Sequence, residues 1–321
     1  MYGSSLLILV GLLLLWKGAD FLVRGAVRLA RRIGVSQLVV GMTVVAMGTS
    51  APEVAASIAA ALASKGDITL GNIYGSNVAN LAMIGGLVTL IRPLQVRAAT
   101  LRREIPAMLA FALLLWPVLS DLTVSRIEAI ALLVVFAAMM AHTVRTARVT
   151  GVGNSPEASQ VPREVSGTVG RDVLLIVFGL AALAIGARAT VSGAVAIGSR
   201  IGLSDAVIGS TIIAVGTSLP ELVICLVAAV QGHHDISVGN LVGSNIFNTL
   251  FVTGLAAMAR PLHVTGRFAG GPDYWIMVAV AVAFTGAAIL GARTIRKPSG
   301  IVLLAIYGAY IAYLLATPGG A

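Results

Sequence analysis

The chain has 321 residues, of which 58% are hydrophobic and 11% are charged. Soluble domains carry about 25% charged residues. Together with a mean hydropathy of +0.96, this composition excludes a soluble globular domain and a disordered chain. It is typical of a polytopic helical membrane protein. The formal net charge is +9, and because the basic residues lie between apolar runs we interpret it as a signal for membrane orientation, not for nucleic-acid binding.

Ten apolar runs are each close to the roughly 20 residues that a helix needs to cross the hydrocarbon layer. In chain order, the predicted spans cover residues 4–23, 36–63, 68–91, 104–120, 124–142, 171–198, 205–231, 236–259, 274–291 and 299–316. The first run is interpreted as a span and not as a cleaved signal, because no small-residue cleavage site follows it. The sequence therefore predicts an all-α membrane protein with about ten transmembrane helices.

The basic residues predict the orientation of the spans. Fifteen Lys and Arg residues fall in the loops after odd-numbered spans and six in the loops after even-numbered spans. The larger group comprises Arg24, Arg28, Arg31, Arg32, Arg92, Arg97, Arg102, Arg103, Arg145, Arg148, Arg163, Arg171, Arg293, Arg296 and Lys297. The positive-inside rule places this group in the cytoplasm and both termini outside. The bias is weaker in the second half, where Arg188 and Arg200 lie on the opposite side.

Residues 149–170 form the only long polar stretch, and they divide the chain into a first half, 1–148, and a second half, 171–321. We interpret the stretch as a flexible cytoplasmic linker. A role limited to connection is favoured, because a regulatory domain does not fit in so short a segment.

An internal repeat relates the two halves. Residues 41–54 (GMTVVAMGTSAPEV) align with 209–222 (GSTIIAVGTSLPEL), and residues 71–80 (GNIYGSNVAN) align with 239–248 (GNLVGSNIFN). Both pairs have an offset of 168 residues, and 14 of the 24 aligned positions are identical. Shorter matches at the same offset are Asp67 with Asp235 and Arg92-Pro93-Leu94 with Arg260-Pro261-Leu262. The constant offset indicates a duplication.

The repeat predicts an inverted architecture. Its motifs fall in spans two and three of the first half and in spans seven and eight of the second half. Because five spans, an odd number, separate equivalent positions, the second copy is inverted relative to the membrane. Inverted repeats that meet at the bilayer midplane are the usual architecture of secondary transporters. A duplicated scaffold without a transport role is disfavoured, because the repeated residues are polar at membrane depth.

Two of the thirteen acidic residues, Glu53 and Glu221, lie near the middle of apolar spans and are equivalent in the repeat. No Lys or Arg lies within ten residues of either glutamate in the sequence. A carboxylate at membrane depth costs several kcal/mol and indicates function by default. The alternative is a protonated glutamate that only hydrogen-bonds between helices, and it is disfavoured for two equivalent residues in a polar cluster.

Each glutamate follows a proline, in the segments Gly48-Thr49-Ser50-Ala51-Pro52-Glu53 and Gly216-Thr217-Ser218-Leu219-Pro220-Glu221. A proline inside a helix lacks an N–H group and clashes with the carbonyl four residues back. The pattern predicts a broken helix whose free carbonyls and hydroxyls line a polar cavity. For a single copy, a proline kink that only shapes packing would be the simpler interpretation.

The second motif places Asn72, Ser76 and Asn80 on one helix face, because they are four residues apart. Their equivalents are Asn240, Ser244 and Asn248. We expect this polar stripe to lie opposite the glutamate, and the neighbouring glycines, Gly71, Gly75, Gly239 and Gly243, allow close helix approach. Two further amides, Asn77 and Asn245, are expected only to hydrogen-bond neighbouring helices.

The polar cluster offers two carboxylates together with hydroxyl, amide and carbonyl oxygens. Hard oxygen ligands with a formal charge of −2 suit Ca²⁺, which takes 6–8 oxygens, or Na⁺ ions in the same cage. Mg²⁺ is disfavoured because it resists losing its water. The single cysteine, Cys225, lies one turn past Glu221, and no set of Cys and His residues accompanies it for zinc or copper.

With these motifs the chain resembles the sodium/calcium exchangers of the cation/calcium exchanger superfamily, in the short prokaryotic form without a regulatory loop. GTSxPE followed by GNxxGSNxxN, present twice, is highly specific, and the resemblance covers both halves. It implies ten helices in two inverted five-helix repeats, and alternating access in which the first and sixth helices slide past the others. The metal ligands that it implies are Thr49, Ser50, Glu53, Ser76, Asn80 and the Ala46 carbonyl in the first repeat, and Thr217, Ser218, Glu221, Ser244, Asn248 and the Ala214 carbonyl in the second.

The resemblance implies a secondary-active antiporter that exchanges Na⁺ for Ca²⁺, is not an enzyme and uses no cofactor. The implied partners are the two ions and the lipid bilayer of a prokaryotic plasma (inner) membrane, with no nucleic acid and no required oligomer. Asn248 stands where potassium-dependent relatives carry Asp, which disfavours potassium dependence.

Three alternatives remain open. A proton/calcium exchanger of the same superfamily would use the glutamates as proton carriers, although such relatives usually show GNxxE in place of GTSxPE. A cation channel could use the same pair of glutamates as a constriction. An intramembrane hydrolase with Ser50 or Ser218 as nucleophile would need a base at membrane depth, whereas the four histidines lie at span ends or in loops.

Overall fold

The computed structural model describes residues 2–149, 168–201 and 214–317. The helices are α1 (Tyr2–Ile33), α2 (Gln37–Thr49), α3 (Ala51–Leu62), α4 (Gly66–Ile91), α5 (Ala98–Arg102), α6 (Glu104–Val118), α7 (Arg126–Val149), α8 (Val169–Arg200), α9 (Ala214–Thr217), α10 (Leu219–Val230), α11 (His234–Ala259), α12 (Pro272–Leu290) and α13 (Lys297–Ala316). The strands are β1 (Leu94–Gln95), β2 (Thr123–Val124), β3 (Leu262–His263) and β4 (Thr294–Ile295). Most of the predicted linker, 149–170, lies outside the described residues.

Seven of the described helices are long and apolar enough to cross a membrane, namely α1, α4, α7, α8, α11, α12 and α13. α2 and α3, bent by 49° relative to each other, together make an eighth candidate span. The predicted span 104–120 forms α6, which has only 15 residues, and the predicted span 205–231 begins outside the described residues. The protein is therefore a mostly helical membrane protein, while the count of ten helices stays a prediction.

The first helix is longer than its apolar run predicts. α1 has 32 residues and ends at Ile33, whereas the predicted span ends at residue 23. The helix continues through its charged residues because Asp20 accepts hydrogen bonds from Arg24 Nε and Gln231 Nε2, both at 2.9 Å, which satisfies the carboxylate inside the protein. Arg24 and the three arginines after it therefore lie on the last turns of α1 and not in a loop, so the predicted end of this span was wrong.

α1 packs along α8 through a seam of glycines. Gly11 and Gly18 of α1 contact Gly186 and Gly179 of α8, respectively, so the two helices run antiparallel. A Cβ atom at Gly18 would lie 2.9 Å from the Gly179 carbonyl oxygen, and one at Gly186 would lie 2.8 Å from the Gly11 carbonyl oxygen. Because these distances leave no room for a methyl group, the close approach of the two helices requires glycine at these positions.

α4 and α11 are the most buried of the membrane-length helices. Each contains a π-helical segment, Ala79–Ile84 in α4 and Phe247–Val252 in α11. The two segments are separated by the repeat offset of 168 residues, and they contain Asn80 and Asn248. A π-helical turn is wider than an α-helical turn and is frequent at functional sites, so the centre of the fold carries a local irregularity at equivalent positions of both copies.

Two short antiparallel ribbons join the halves. β1 pairs with β4, and β2 pairs with β3. β1 and β3 are separated by the repeat offset of 168 residues, so they are equivalent strands of the two copies. They do not pair with each other, and each ribbon contains one strand from each half. Each ribbon also connects two loops that the positive-inside rule places on the same side of the membrane.

Candidate cation site

Both glutamates lie just after a break in a helix. Ser50, between α2 and α3, has φ −82° and ψ 10°, and Ser218, between α9 and α10, has φ −91° and ψ 6°. The predicted breaks before the two prolines are therefore confirmed. Glu53 and Glu221 consequently lie in the first turns of α3 and α10, where free backbone N–H groups and the helix dipole favour a negative charge.

The two glutamates are buried, and no basic side chain in the described part of the chain forms an ion pair with either of them. The exposed fraction is 2% for Glu53 and 1% for Glu221. The four Arg–Asp ion pairs found among the described residues involve neither glutamate. The Ser50 hydroxyl, three residues before Glu53, donates to Glu221 Oε1, so the two carboxylates lie on neighbouring parts of the fold. Like charges held together out of water are costly unless a cation compensates them.

Four buried oxygens form two equivalent pairs that have no hydrogen-bond partner among the described residues. They are Glu53 Oε2, Glu221 Oε2, Asn80 Oδ1 and Asn248 Oδ1. An unsatisfied buried oxygen costs about 1–3 kcal/mol, and buried polar groups are nearly always paired. Because carboxylate and amide oxygens are ligands that Ca²⁺ prefers, the four atoms indicate a site for a hard cation.

The two copies are interleaved around these oxygens. The π-helical segment with Asn80 contacts α10, which carries Glu221, and the π-helical segment with Asn248 contacts α3, which carries Glu53. Each amide therefore lies on an element that packs against the glutamate-bearing helix of the other half. The site is built between the halves and belongs to neither half alone.

Hydroxyl groups also connect the two copies. The Ser50 hydroxyl donates to Glu221 Oε1 at 3.2 Å, and its oxygen lies 3.3 Å from the Ser244 hydroxyl oxygen. The Thr49 hydroxyl oxygen lies 3.4 Å from Asn240 Oδ1. The structure thus brings residues of the first broken helix together with the glutamate and the polar stripe of the second half.

The remaining predicted ligands have defined positions. The Ala46 carbonyl accepts hydrogen bonds from the Ser50 N–H at 3.1 Å and from the Thr49 hydroxyl at 3.2 Å. Ser76 and Ser218 are buried, and Ala214 and Thr217 are the first and last residues of α9. The ligand role of every residue in the predicted set stays a prediction.

Asn72 and Asn240, predicted as members of the polar stripe, support the glutamate-bearing helices. Asn72 Nδ2 donates to the Ser57 hydroxyl at 2.9 Å and to the Glu53 carbonyl at 3.3 Å. Asn240 Nδ2 donates to Cys225 Sγ at 3.3 Å. Ser57 and Cys225 are equivalent in the repeat. Ser57 was not predicted, and its only signal is its position one turn after Glu53.

The two remaining amides differ from each other. Asn77 Nδ2 donates to the Thr249 hydroxyl of α11 at 3.1 Å, which confirms the predicted bond to a neighbouring helix. Asn245 Nδ2 donates to the Leu241 carbonyl at 2.8 Å. Because this bond lies within α11 itself, the prediction was wrong for Asn245.

A cavity of about 280 Å³ lies beside the first break. It is lined by Gly48, Thr49, Ala51 and Pro52 at the break, by Pro220 of α10, and by Leu180, Leu183 and Ala184 of α8. One wall of the cavity is therefore α8, the helix that packs on α1 through the glycine seam. A movement of α8 would change the access to the break.

Among residues 2–149, 168–201 and 214–317, no group of three or more His, Cys, Asp and Glu side chains could hold a metal ion. The candidate site instead combines two carboxylates with neutral amide and hydroxyl oxygens. This donor set suits Ca²⁺ and other hard cations, whereas a zinc site takes Cys and His ligands.

Replacing Asn248 by alanine is expected to weaken Ca²⁺ binding about tenfold, because one neutral oxygen would be lost while both carboxylates remain. The measurement is the Ca²⁺ concentration that half-saturates the thermal stabilisation of the detergent-solubilised protein. Asn245→Ala is the matched control, since the Asn245 amide bonds within its own helix. Equal Ca²⁺ affinities for the two variants would contradict a ligand role for Asn248.

The chain is similar to known proteins over nearly its whole length. A family model described as sodium/calcium exchanger protein matches residues 3–145 and 172–316. Sodium/calcium exchanger MaX1 of Methanosarcina acetivorans is 32% identical, with 97% of this chain and 98% of that protein aligned. Inner membrane protein YrbG of Escherichia coli is 35% identical, with 97% and 95% aligned. A solved structure of the sodium-calcium exchanger NCX_Mj, soaked with zero Na⁺ and Ca²⁺, superposes with a TM-score of 0.82 at 30% identity and covers 97% of this chain and 98% of that chain.

Proposed function

Because the chain belongs to the sodium/calcium exchanger family, we propose that it exchanges Na⁺ for Ca²⁺ across the membrane by alternating access at a midplane site. The family consists of secondary transporters and not of enzymes, and it takes Na⁺ and Ca²⁺ as substrates without a cofactor. The protein is accordingly an integral membrane protein, and the pairing of ions and the route of exchange are what we propose for this chain.

The observation that carries the proposal is the set of oxygens on Glu53, Glu221, Asn80 and Asn248 that have no hydrogen-bond partner within residues 2–149, 168–201 and 214–317. Two of these oxygens bear the negative charge of a carboxylate, and all four are hard donors. Ca²⁺ would satisfy several of them at once. The neutral amides would keep the affinity moderate, as a carrier that must release its ion requires.

The charge of the site supports obligatory exchange. Two buried carboxylates that repel each other resist enclosure in a low-dielectric interior when no cation is bound. We propose that Na⁺ and Ca²⁺ compete for one cage around Glu53 and Glu221, and that the protein changes its orientation only when this cage is occupied. Influx of one ion is then coupled to efflux of the other.

We propose that the chain forms two inverted five-helix repeats, 1–148 and 171–321, joined by a cytoplasmic linker at 149–170. The two β ribbons support this arrangement, because each joins loops with the same predicted sidedness. Both termini then lie outside a prokaryotic inner membrane, the location named for YrbG of Escherichia coli. Because both glutamates come from one chain, the site does not require an oligomer.

We propose that α1 and α8 are the elements that slide during exchange. α8 forms one wall of the cavity beside the first break, and the glycine seam ties it to α1. A displacement of this pair along the rest of the helices would open the break toward one side of the membrane and close it toward the other.

Proton/calcium exchange is the second candidate, because the same unpartnered carboxylate oxygens could carry protons. The two candidates differ in the gradient that drives Ca²⁺ movement. A channel would instead show single-channel currents, which the slow turnover of an exchanger does not produce.

Proteoliposomes loaded with Na⁺ are expected to take up ⁴⁵Ca²⁺ when external Na⁺ is absent, and to stop when external Na⁺ equals internal Na⁺, because the Na⁺ gradient supplies the driving force. A pH gradient of equal magnitude without Na⁺ is the matched control and is expected to drive little uptake. Uptake that follows the pH gradient and ignores Na⁺ would establish proton/calcium exchange and overturn the proposal.

A further inference from the structure

The Arg-Pro-Leu triplets are repeated motifs that the proposed ion site does not use. Arg92 follows α4 and Arg260 follows α11, and both have extended backbone, with φ −142° and ψ 123° for Arg92 and φ −154° and ψ 132° for Arg260. A residue before proline avoids the helical conformation. Each triplet therefore ends its helix at the residue before the arginine.

The end of α3 is held by Arg260, which belongs to the second half. Ser64 has φ 61°, and the Lys65 N–H donates to the Ala60 carbonyl at 2.9 Å, so α3 closes in a left-handed C-terminal turn. This turn does not use the carbonyl of the last helical residue, Leu62. Arg260 Nη1 donates to that carbonyl at 3.1 Å.

The end of α10 repeats this arrangement with the halves exchanged. Gly232 has φ 85°, and the His233 N–H donates to the Ala228 carbonyl at 2.8 Å. Arg92 Nη1 donates to the carbonyl of Val230, the last residue of α10. Each arginine therefore holds the end of a helix that belongs to the other half.

A second contact reinforces each arginine five residues further along the chain. The Thr265 N–H donates to Asp67 Oδ1 at 2.8 Å, and Arg97 forms an ion pair with Asp235. Asp67 and Asp235 lie in the first turns of α4 and α11, which directly follow the turns that the arginines hold. We call residues 260–265 and 92–97 the two arginine clamps.

We propose that Arg92 and Arg260 are positioning residues for the ion site, each fixing the short helix that carries the glutamate of the other half. This inference rests on the proposed function, since it assigns the arginines to the same Na⁺ and Ca²⁺ site. In α3 and α10 the glutamate lies nine residues before the last helical residue, so an arginine acts over about 14 Å of rigid helix on the glutamate in the first turn.

The electrostatics of the helices favour this role. A cation at the C-terminus of a helix stabilises the negative end of the helix dipole. The positive end of the same dipole lies at the first turn, where it stabilises the negative charge of Glu53 or Glu221. Because the two clamps come from opposite halves, together they fix the position of one glutamate relative to the other.

Hydrogen–deuterium exchange tests whether the clamps hold these helices. In Arg260→Gln, the amides near residues 60–65 are expected to exchange at least about tenfold faster, because the end of α3 loses a charged hydrogen bond. The amides near residues 228–233 are expected to keep their wild-type rates. Arg92→Gln should give the reverse pattern. Arg126→Gln, at the exposed first residue of α7, is the control and should change neither segment.

The Ca²⁺ concentration that half-saturates thermal stabilisation tests positioning as distinct from simple capping. It is expected to rise about three- to tenfold in Arg92→Gln and in Arg260→Gln, and to recover in large part in Arg92→Lys and Arg260→Lys, which keep the charge and a donor. An arginine that only stabilised the fold would lower the melting temperature equally with and without Ca²⁺ and leave this concentration unchanged.

Two results would overturn the inference. One is an unchanged rate of hydrogen–deuterium exchange at the helix end that the substituted arginine holds in the wild-type protein. The other is faster hydrogen–deuterium exchange at that helix end together with an unaltered Ca²⁺ affinity. If the wild-type protein shows no thermal stabilisation by Ca²⁺ and no Na⁺-driven Ca²⁺ uptake, the proposed function fails. The pattern of hydrogen–deuterium exchange still decides whether the clamps hold the two helices.

Discussion

Glu53→Gln and Glu221→Gln proteins are expected to lose Na⁺-driven Ca²⁺ uptake by about 100-fold or more. Removing one charged partner from a buried ion cluster costs about 3–5 kcal/mol, and each glutamine would take one of two negative charges from the cage. The same proteins should no longer be stabilised thermally by Ca²⁺. Both effects can be measured on purified protein, as ⁴⁵Ca²⁺ flux in liposomes and as a melting curve in detergent.

Glu128→Gln is the matched control for these two variants. The Glu128 carboxylate accepts a hydrogen bond from the Ser125 N–H at 2.8 Å at the start of α7, away from the broken helices. Without added ions, the Glu53→Gln protein should be at least as stable as wild type, because the repulsion between two buried carboxylates is removed. Ca²⁺ exchange at the normal rate in either site variant would refute the two-glutamate cage.

Gly18→Ala is expected to destabilise the protein by about 1–3 kcal/mol and to impair transport, because an added methyl group overpacks a tight helix interface. Its Cβ would lie 2.9 Å from the Gly179 carbonyl oxygen and 2.9 Å from the Leu183 nitrogen. These neighbours are backbone atoms, so they cannot turn aside as a flexible side chain would. The melting temperature in detergent and the rate of Na⁺-driven ⁴⁵Ca²⁺ uptake are the measurements.

Gly308→Ala provides the control within a membrane-length helix. No atom of a neighbouring element lies within 4 Å of a Cβ built at Gly308 in α13, and alanine favours a helix over glycine by about 1 kcal/mol. This variant should be as stable as wild type or more stable. If Gly18→Ala behaved in the same way, the seam between α1 and α8 would not require glycine.

Much of the site could be predicted from the sequence, because charged and polar side chains are energetically unfavourable at membrane depth and therefore indicate a function there. Pro52 and Pro220 predict the breaks, since proline cannot continue a helix, and the breaks occur beside Ser50 and Ser218. The burial of Glu53 was expected from its apolar surroundings and is observed. Local rules and a constant repeat offset are therefore sufficient to find the glutamates and to predict the helix breaks before them.

Contacts between the halves are not visible in the sequence. Nothing in the composition pairs Ser50 with Glu221 or Arg260 with the end of α3, because these contacts depend on how the copies are interleaved. The π-helical segments that carry Asn80 and Asn248 have no distinctive residue types either. The end of α1 was misjudged because Asp20 finds its partner Gln231 in a distant part of the chain.

The glycine seam has a consequence for the biosynthesis of the protein. Gly18 on α1 meets Gly179 on α8, 161 positions later. At translation rates of about 5–20 residues per second, α1 spends roughly 8–30 seconds in the bilayer before its partner has been made. During that interval its glycine face lies against lipid or against a temporary neighbour. A nascent chain arrested at the linker would keep that face without its native partner until translation resumes.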